Sequence, residues 1–246
     1  NLSGESITGM SSEQSQFTEE EITTCVQEAK VWGKWVAAHA RSTWSVKQCV
    51  KQGINVIYHA SFLDSEALDL LDQHRHAHHI APGLAWLINT CHNASEYGLT
   101  KDVVHKMGYF KELDAAIESM RALHKRGVHI MPGGDYGFAW TPHGTNAKDL
   151  EYFVKHIGMS NMEALLSATV WGAPMMRSTE PLGQIKEGYL ADLLLIDGDP
   201  LMDITVLQDR KRILAVMKDG VFHREPPTLQ QRNQPGRTTM PTRWAA

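Results

Sequence analysis

Cysteine and basic charge are both scarce in this sequence. Three cysteines, Cys25, Cys49 and Cys91, are spread over 246 residues. An odd number at wide spacing argues against a disulfide framework and against a thiolate zinc site, so a reducing, cytoplasmic location is expected. The formal net charge is −4, which leaves no basic surface to neutralise phosphates. Nucleic acid is therefore not expected as a partner, and a small-molecule substrate is predicted instead.

Long apolar stretches and several common catalytic motifs are also missing. No stretch of about 18 apolar residues occurs, and no basic segment followed by an apolar one opens the sequence, so neither a membrane span nor a signal peptide is predicted. The sequence has no P-loop, no dinucleotide-binding glycine fingerprint, no Gly-x-Ser-x-Gly motif and no His-Glu-x-x-His motif. Its apolar fraction of 42% still indicates an ordinary globular protein.

Helices and strands are predicted to alternate through most of the chain. Amphipathic patterns predict helices at 18–34, 43–52, 65–73 and 111–126. Thr18 is the expected N-cap of the first helix. Strand-like runs end at His39 and His59, and the apolar run 80–88 and the segment 128–131 continue the series. This alternation predicts an α/β fold with a parallel sheet, either open or closed into a barrel, and periodicity alone does not choose between the two.

The pattern of predicted elements changes beyond Asp135, from alternating strands and helices to helices followed by short strands. Helices are predicted near 147–156 and 161–171, and glycine-punctuated apolar runs follow at 191–197 and 213–217. Asp219-Gly220 is typical of a tight hairpin turn. These runs predict a small β module. From Glu225 onward, Pro, Gln, Thr and Arg dominate, and such a composition predicts a flexible tail.

Three strand-like segments, 35–39, 55–59 and 128–135, end in side chains that bind metals well. Because the carboxyl ends of parallel strands meet at one end of a barrel, His39, His59 and Asp135 are predicted to converge. Imidazole and carboxylate groups are typical ligands of zinc and similar divalent ions. The alternative interpretation is structural, with hydrogen-bonded histidines buried at strand ends and an aspartate that caps a Gly-Gly turn.

Three further residues near these strand ends are candidates for substrate binding. His143 follows Asp135 in a loop and would donate a hydrogen bond to the substrate or to a developing oxyanion, unless it is a surface histidine. Arg41 would bind a substrate carboxylate with two hydrogen bonds, and a surface ion pair is its alternative role. Tyr136, directly after Asp135, is predicted to contact the substrate.

The segment 74–79 holds four histidines, of which His74 and His78 would share one face of a helix. Such a pair can bind a metal ion. However, the segment leads into an apolar run that reads as a strand, and no carboxylate accompanies it at motif spacing. It is therefore not predicted as a metal site.

Several short motifs occur together along the chain. They are Ala38-His39-Ala40, Tyr58-His59-Ala60 followed by Leu63-Asp64, Gly133-Gly134-Asp135, His143-Gly144-Thr145-Asn146, Met162-Glu163-Ala164-Leu165, and Leu182-Gly183-Gln184-Ile185 with the runs 188–193 and 197–200. In this order and spacing, up to about His223, the sequence resembles the amidohydrolase superfamily, especially its imidazolonepropionase-like and dipeptidase-like branch.

The resemblance implies a (β/α)8 TIM barrel of the metal-dependent hydrolase type, whose fifth, sixth and eighth strands end at His39, His59 and Asp135. The expected organisation is barrel at 1–180, entered from the end of strand 4, then a β-sandwich portion at 181–224 and the tail at 225–246. Members of the family also carry a His-x-His pair on the first strand and a lysine on the fourth. This sequence supplies neither, so a complementing N-terminal segment or a homo-oligomer is expected.

The function implied by the resemblance is hydrolysis of an amide-type bond, in a dipeptide, an N-acyl amino acid or a cyclic amide. One or two divalent ions, with zinc the first choice, would be held by His39, His59 and Asp135. Asp135 would also transfer protons, and His143 would assist the substrate. Deamination, or cleavage of carbamates and esters, is an alternative within the same superfamily. A non-catalytic half-barrel subunit that needs a partner segment is the alternative from another class.

Overall fold

A computed structural model describes residues 1–227 of the chain. The chain divides into two compact units, one spanning Asn1–Ser160 and the other beginning at Asn161. The predicted boundary near residue 180 lies within the second unit and stays a prediction. Most of the tail predicted at 225–246 lies outside the described residues.

The first unit alternates short strands with helices, as the sequence predicts. Its helices are α1 (Glu19–Val31), α2 (Thr43–Gln52), α3 (Ser65–Gln73), α4 (Leu84–His92), α5 (Lys101–Lys106), α6 (Tyr109–Lys125) and α7 (Lys148–Tyr152). Its strands are β1 (Ala37–Ala40), β2 (Val56–His59) and β3 (His79–Ala81). Short 3-10 turns lie at Ser6–Thr8 and Ser95–Tyr97, and a π-helical turn, Phe153–Ile157, extends α7.

Local sequence signals explain where these helices begin and end. Thr18 caps α1 in a reciprocal capping box with Glu21, which confirms the predicted N-cap. Asp64 caps α3 by accepting a hydrogen bond from the backbone N–H of Ala67. Gly53 ends α2 with φ 75°, a left-handed conformation that glycine adopts without a steric penalty. The predicted helices at 43–52 and 65–73 are both confirmed.

The three strands form a parallel sheet in the order β1-β2-β3. The register aligns His39 with Tyr58 and Ala40 with His59. The crossover helices α2 and α3 therefore connect neighbouring strands, which is the arrangement that alternating elements predict. Both histidines thus lie at the carboxyl edge of the sheet.

Two of the predicted strands differ from what the structure contains. The apolar run 80–88 continues only to Ala81 as a strand, because Pro82-Gly83 breaks it and Leu84 begins the buried helix α4. An apolar run of this length has the same pattern in a buried strand and in a buried helix, so the prediction was wrong there. The segment 128–131 contributes a single parallel bridge, between Ile130 and Ile80.

The core of the first unit lies among α4, α6 and the sheet. Trp86, Tyr109, Met120 and Leu123 are among its fully buried side chains. Helix α6 faces this core with the stripe that the sequence predicts for 111–126. Among residues 1–227, no helix is both long and apolar enough to cross a membrane.

The second unit contains α8 (Asn161–Ala168) and an antiparallel sheet of β4 (Leu193–Ile196), β5 (Ile213–Lys218) and β6 (Val221–Arg224). Asp219 and Gly220 join β5 to β6 with φ values of 50° and 76°, as expected of a tight hairpin turn. The apolar runs 191–197 and 213–217 are thus confirmed as strands. The described residues of this unit form one sheet of three strands, so a two-layered sandwich is not confirmed.

Candidate active site

His39 and His59 meet at the carboxyl ends of β1 and β2. Their rings contact edge to face, with centroids 4.5 Å apart. The strand register aligns His59 with Ala40, so regular alternation would place the two histidines on opposite faces of the sheet. His59 instead has φ 76° and Ala60 has φ 48°. This left-handed turn interrupts the alternation, and the ring of His59 reaches His39.

Each imidazole of this pair is held in its neutral form. Burial, followed by the nearby charge of Arg41, lowers the pKa of His39 to about 4. Burial also holds the pKa of His59 well below its usual value. Nε2 of His39 lies 3.3 Å from the carbonyl oxygen of Gly4. A proton on Nε2 makes that hydrogen bond and leaves the lone pair on Nδ1, as in histidines that bind metals.

Asp135 faces the same point from the loop after Ile130. Its Oδ2 lies 3.9 Å from Nε2 of His59 and 3.7 Å from a terminal nitrogen of Arg41. The carboxylate is partly open to solvent, with 37% of the side chain exposed. Burial raises the pKa of Asp135, and the charge of Arg41 opposes that shift. His59 therefore lies beside both His39 and Asp135.

Two glycines allow the Asp135 loop to approach the loop beside His59. A Cβ atom on Gly134 would lie 2.4 Å from Cα of Gly83, and a Cβ on Gly83 would lie 3.4 Å from Nδ1 of His59. Gly134 has φ 149° and Gly83 has φ 65°. A side chain at Gly134 would push the two backbones apart, and a side chain at Gly83 would be strained by the positive φ there. Glycine at these two positions therefore lets Asp135 lie near His59.

Arg41 is fully buried rather than on the surface, so its alternative role as a surface ion pair was wrong. Its guanidinium pairs with Glu112 and, at 2.6 Å, with Glu5. The guanidinium carbon also lies 5.3 Å from the ring centre of Trp86. These carboxylates raise the pKa of Arg41 against the effect of burial, which is the largest influence. The substrate-binding role predicted for Arg41 stays a prediction.

The structure adds two partners of Arg41 that sequence reasoning missed, one buried and one partly buried. Glu112 is fully buried on α6, and it also accepts a hydrogen bond from Ser61. Glu5 accepts one from the hydroxyl of Tyr109 at 2.8 Å. Glu112 lies one helical turn before Ala116 on the apolar stripe of α6. A charged residue on that stripe was the sequence signal that could have indicated a buried ion pair. No local pattern singles out Glu5.

His143 and Tyr136 lie on either side of a tight turn after Asp135. Gly137 donates a backbone hydrogen bond to Thr141, and the exposed ring of His143 lies against Gly137. Tyr136 is half-buried, and its hydroxyl lies 3.4 Å from the carbonyl oxygen of Asn146. Both side chains thus belong to the loop that carries Asp135, and their substrate-binding roles stay predictions.

Comparison with known proteins is decisive for the family. A family model described as the Amidohydrolase family matches residues 4–222. The chain belongs to the amidohydrolase family. Ochratoxinase of Aspergillus niger is 29% identical over 212 residues, which are 86% of this chain and 42% of that protein.

Solved amidohydrolase structures agree with this assignment. The crystal structure of A. niger ochratoxinase superposes with a TM-score of 0.79 at 26% identity, covering 91% of this chain and 49% of that one. A Xaa-Pro dipeptidase with methionine bound in its active site gives 0.76 at 32% identity, covering 87% and 51%. The chain thus spans about half the length of the relatives it matches. Its α/β fold is of the amidohydrolase type.

The ligand atoms at this candidate site fit part of a divalent metal site. Two neutral imidazoles and a carboxylate are the ligand types that zinc prefers. Within residues 1–227, however, no group of three or more His, Cys, Asp or Glu side chains is gathered closely enough to hold a metal ion.

The histidine pair of the 74–79 segment lies elsewhere in the first unit. The ring centres of His74 and His78 are 6.4 Å apart, and Nδ1 of His78 forms a hydrogen bond with the carbonyl oxygen of Ile54.

Proposed function

We propose that this chain forms the metal-binding part of an amidohydrolase that cleaves an amide-type carbon–nitrogen bond. The observation that carries the proposal is that His59 lies beside both His39 and Asp135 at the carboxyl edge of a parallel sheet. Such edges are where α/β barrels carry out their chemistry. The match to the amidohydrolase family supports the reaction class.

His39 and His59 would hold the divalent ion, for which zinc is the first choice. The hydrogen bond from Nε2 of His39 to the carbonyl oxygen of Gly4 fixes the orientation of the ring. It leaves the lone pair of Nδ1 available to bind a metal ion. Nε2 of His59 is the nitrogen that faces Asp135. When bound, one or two such ions would acidify a water molecule and polarise the scissile carbonyl.

Asp135 would move the proton in this reaction. Its carboxylate accepts the proton of the attacking water and returns it to the leaving nitrogen, a role that requires one group within reach of both. Its position supports this role, because it is partly open to solvent and lies beside His59. His143, on the same loop, would donate a hydrogen bond to the carbonyl oxygen as negative charge develops there.

Tyr136 and Arg41 are the remaining proposed contacts of the substrate. Tyr136 is adjacent to Asp135 in the sequence and is half-buried. Arg41 lies 3.7 Å from Asp135 but is already paired with Glu5 and Glu112. Its charge would therefore act on a substrate carboxylate over a longer distance than a direct bidentate pair.

The names of the relatives support a small substrate with an amide-type bond. One structurally similar prolidase was solved in complex with N-methylphosphonate-L-proline, with a TM-score of 0.75 at 28% identity, covering 86% of this chain and 50% of that one. We propose dipeptides and N-acyl amino acids as the first substrates to test. The three free cysteines support a reducing, cytoplasmic setting.

The parallel sheet would be part of a (β/α)8 barrel, and β4–β6 part of a β-sandwich. The TM-scores against amidohydrolase structures support the amidohydrolase-type fold on which this proposal rests. We propose that a further segment, or a second copy of the chain, completes the barrel and adds the missing ligands. Residues 1–5 contact β1, where the backbone N–H of Leu2 donates a hydrogen bond to the carbonyl oxygen of His39. The ion pairs of Arg41 with Glu5 and Glu112 lie next to this contact.

A substrate screen tests the reaction class. The zinc-loaded protein is assayed with Xaa-Pro dipeptides, N-acyl amino acids, carbamates and ring amines. We expect release of the amine product from the amide substrates and its loss in Asp135→Asn. Asp114→Asn, on the exposed side of α6, is the matched control and should retain activity. Turnover of ring amines alone would contradict amide hydrolysis.

The second candidate is a split site, in which this chain binds metal only together with a partner segment. The absence of a complete donor cluster among residues 1–227 favours it. Zinc content is measured for the chain alone and after addition of an N-terminal segment from an amidohydrolase of similar sequence. One equivalent of tightly held zinc in the chain alone would rule the split site out, whereas zinc that appears only with the segment would support it.

A further inference from the structure

Asp149 is a buried carboxylate that the chemistry above does not use. It lies at the start of α7 and is 1% exposed. Its Oδ1 accepts a hydrogen bond from the backbone N–H of Ala85 at 3.1 Å, and its Oδ2 accepts one from the N–H of Gly133 at 3.1 Å. Both oxygens are therefore occupied by backbone donors from two different segments.

Each of those two segments carries part of the active site. Ala85 lies in the first turn of α4, two residues after the Gly83 that lies beside the ring of His59. Gly133 lies two residues before Asp135. Asp149 thus connects the loop beside His59 to the loop that carries Asp135. Contact between these loops at Gly83 and Gly134 depends on the same alignment.

The charge of Asp149 is balanced by hydrogen-bond donors. Burial raises its pKa to about 6, while the N–H groups of Ala85 and Gly133 and the Tyr136 hydroxyl oppose that shift. The carboxylate is therefore ionised at neutral pH. The first-turn N–H groups of a helix are free to bind an anion, so α4 supplies a donor without losing an intrahelical bond.

We propose that Asp149 is a positioning residue, which holds the Asp135 loop against the His59 loop through two backbone hydrogen bonds. The effect of Asp149 on catalysis rests on the proposed function. Its effect on the separation of the two loops rests on the geometry alone. The two loops meet at Gly83 and Gly134, which have no side chains that could hold them together. A carboxylate that bonds to both backbones fixes their separation directly.

Hydrogen exchange and zinc binding in Asp149→Asn test the inference. An amide presents one acceptor and one donor, so one of the two backbone N–H groups loses its partner. We expect about tenfold faster exchange in segments 83–88 and 131–137, with exchange in α6 unchanged. We also expect zinc affinity to fall about 10- to 100-fold, as for other residues that support metal ligands. Asp114→Asn is the matched control.

Kinetics separate positioning from a general loss of folding. In the active protein, Asp149→Asn should lower kcat about 10- to 100-fold and also raise KM, because the displaced loop carries Asp135 together with Tyr136 and His143. Partial unfolding would lower the amount of active enzyme and leave KM unchanged. If Asp149→Asn does not fold, Tyr136→Phe, which removes only the hydroxyl donor, should show the same faster exchange in 131–137 to a smaller extent.

The outcomes distinguish this inference from the proposed function. Wild-type exchange rates in both segments of Asp149→Asn, together with unchanged zinc affinity, would overturn the positioning role. A wild-type protein without amide hydrolysis would overturn the proposed function alone, and loop exchange would still decide the role of Asp149. Equal exchange rates in Tyr136→Phe and wild type, with Asp149→Asn unfolded, would also count against the inference.

Discussion

The ring of His59 contacts the ring of His39 although the sheet register aligns His59 with Ala40. The left-handed turn at His59 and Ala60 makes this contact possible. Such non-glycine conformations cost about 1–3 kcal/mol each and persist where the surrounding structure enforces them, often at functional sites. The backbone strain at His59 and Ala60 therefore supports a functional role for the contact between the two imidazoles.

Loss of either imidazole should abolish tight zinc binding. Residues that only support ligands cost about 10- to 100-fold in affinity when replaced, so His39→Asn and His59→Asn should each cost more than about 100-fold. Isothermal titration of the metal-free protein with zinc measures this. His74→Asn is the control, because it removes a histidine of the 74–79 segment. If His74→Asn weakens zinc binding and His39→Asn does not, the assignment of the site is wrong.

Breaking the buried pair of Arg41 and Glu112 should destabilise the first unit strongly. Arg41→Met leaves a buried carboxylate without its cation, and we expect a loss of about 3–5 kcal/mol in the free energy of unfolding. The double variant Arg41→Met with Glu112→Leu removes both charges and should recover much of that loss. Urea unfolding of the single and double variants measures the coupling. Strictly additive effects would show that the pair does not interact.

The sequence predicted the elements of this site better than their mutual arrangement. Thr18, Gly53 and Asp64 are local signals, so the ends of α1, α2 and α3 could be predicted from them. The strand ends at His39 and His59 are local as well. The strand register is a property of two strands together, so the sequence could not show that His59 aligns with Ala40 and not with His39.

Gly134 should not tolerate a side chain. A Cβ there would lie 2.4 Å from Cα of Gly83, so Gly134→Ala must push the Asp135 loop away from the His59 loop. We expect a destabilisation of about 1–3 kcal/mol and a loss of zinc affinity. Gly98→Ala is the control, since Gly98 also has a positive φ, of 85°, but no atom lies within 4 Å of the added Cβ.

Zinc titration and urea unfolding of the two glycine variants separate steric from conformational effects. Gly98→Ala should cost about 1 kcal/mol from its backbone conformation and leave zinc affinity unchanged. Equal behaviour of the two variants would show that the close approach of Gly83 and Gly134 has no role in the site.

Asp149 should make stability depend on pH in a narrow window. Its pKa is raised to about 6 in the folded protein, against about 3.9 in an unfolded chain. Between these values the folded state binds more protons, so the free energy of unfolding falls as pH rises from about 4 to about 6, by about 3 kcal/mol in total. Above about pH 7, where Asp149 is ionised in both states, this contribution is constant.

Urea unfolding of wild type and Asp149→Asn across pH 4–7 measures this effect. The asparagine does not titrate, so its curve should lack the fall and the difference between the two proteins should change across the window. Parallel curves would show that the Asp149 carboxyl keeps its ordinary pKa in the folded protein.

The buried charges around the site could not be predicted from local patterns. Arg41 follows β1 and has the sequence context of a surface residue, yet Glu5 and Glu112 approach it from distant parts of the chain. Asp149 likewise bonds to Ala85 and Gly133, which are brought near it only by tertiary packing. Polar groups of this kind are compatible with burial only after their partners are in place.

The location of bound zinc tests the central claim most directly. Crystals of the zinc-loaded protein give an anomalous difference map at the zinc absorption edge, and this map shows where the ion lies regardless of activity. The account predicts a peak beside His39, His59 and Asp135, with the rings of both histidines in contact with the ion. A zinc peak at the 74–79 segment or elsewhere, with none beside His39 and His59, would contradict it.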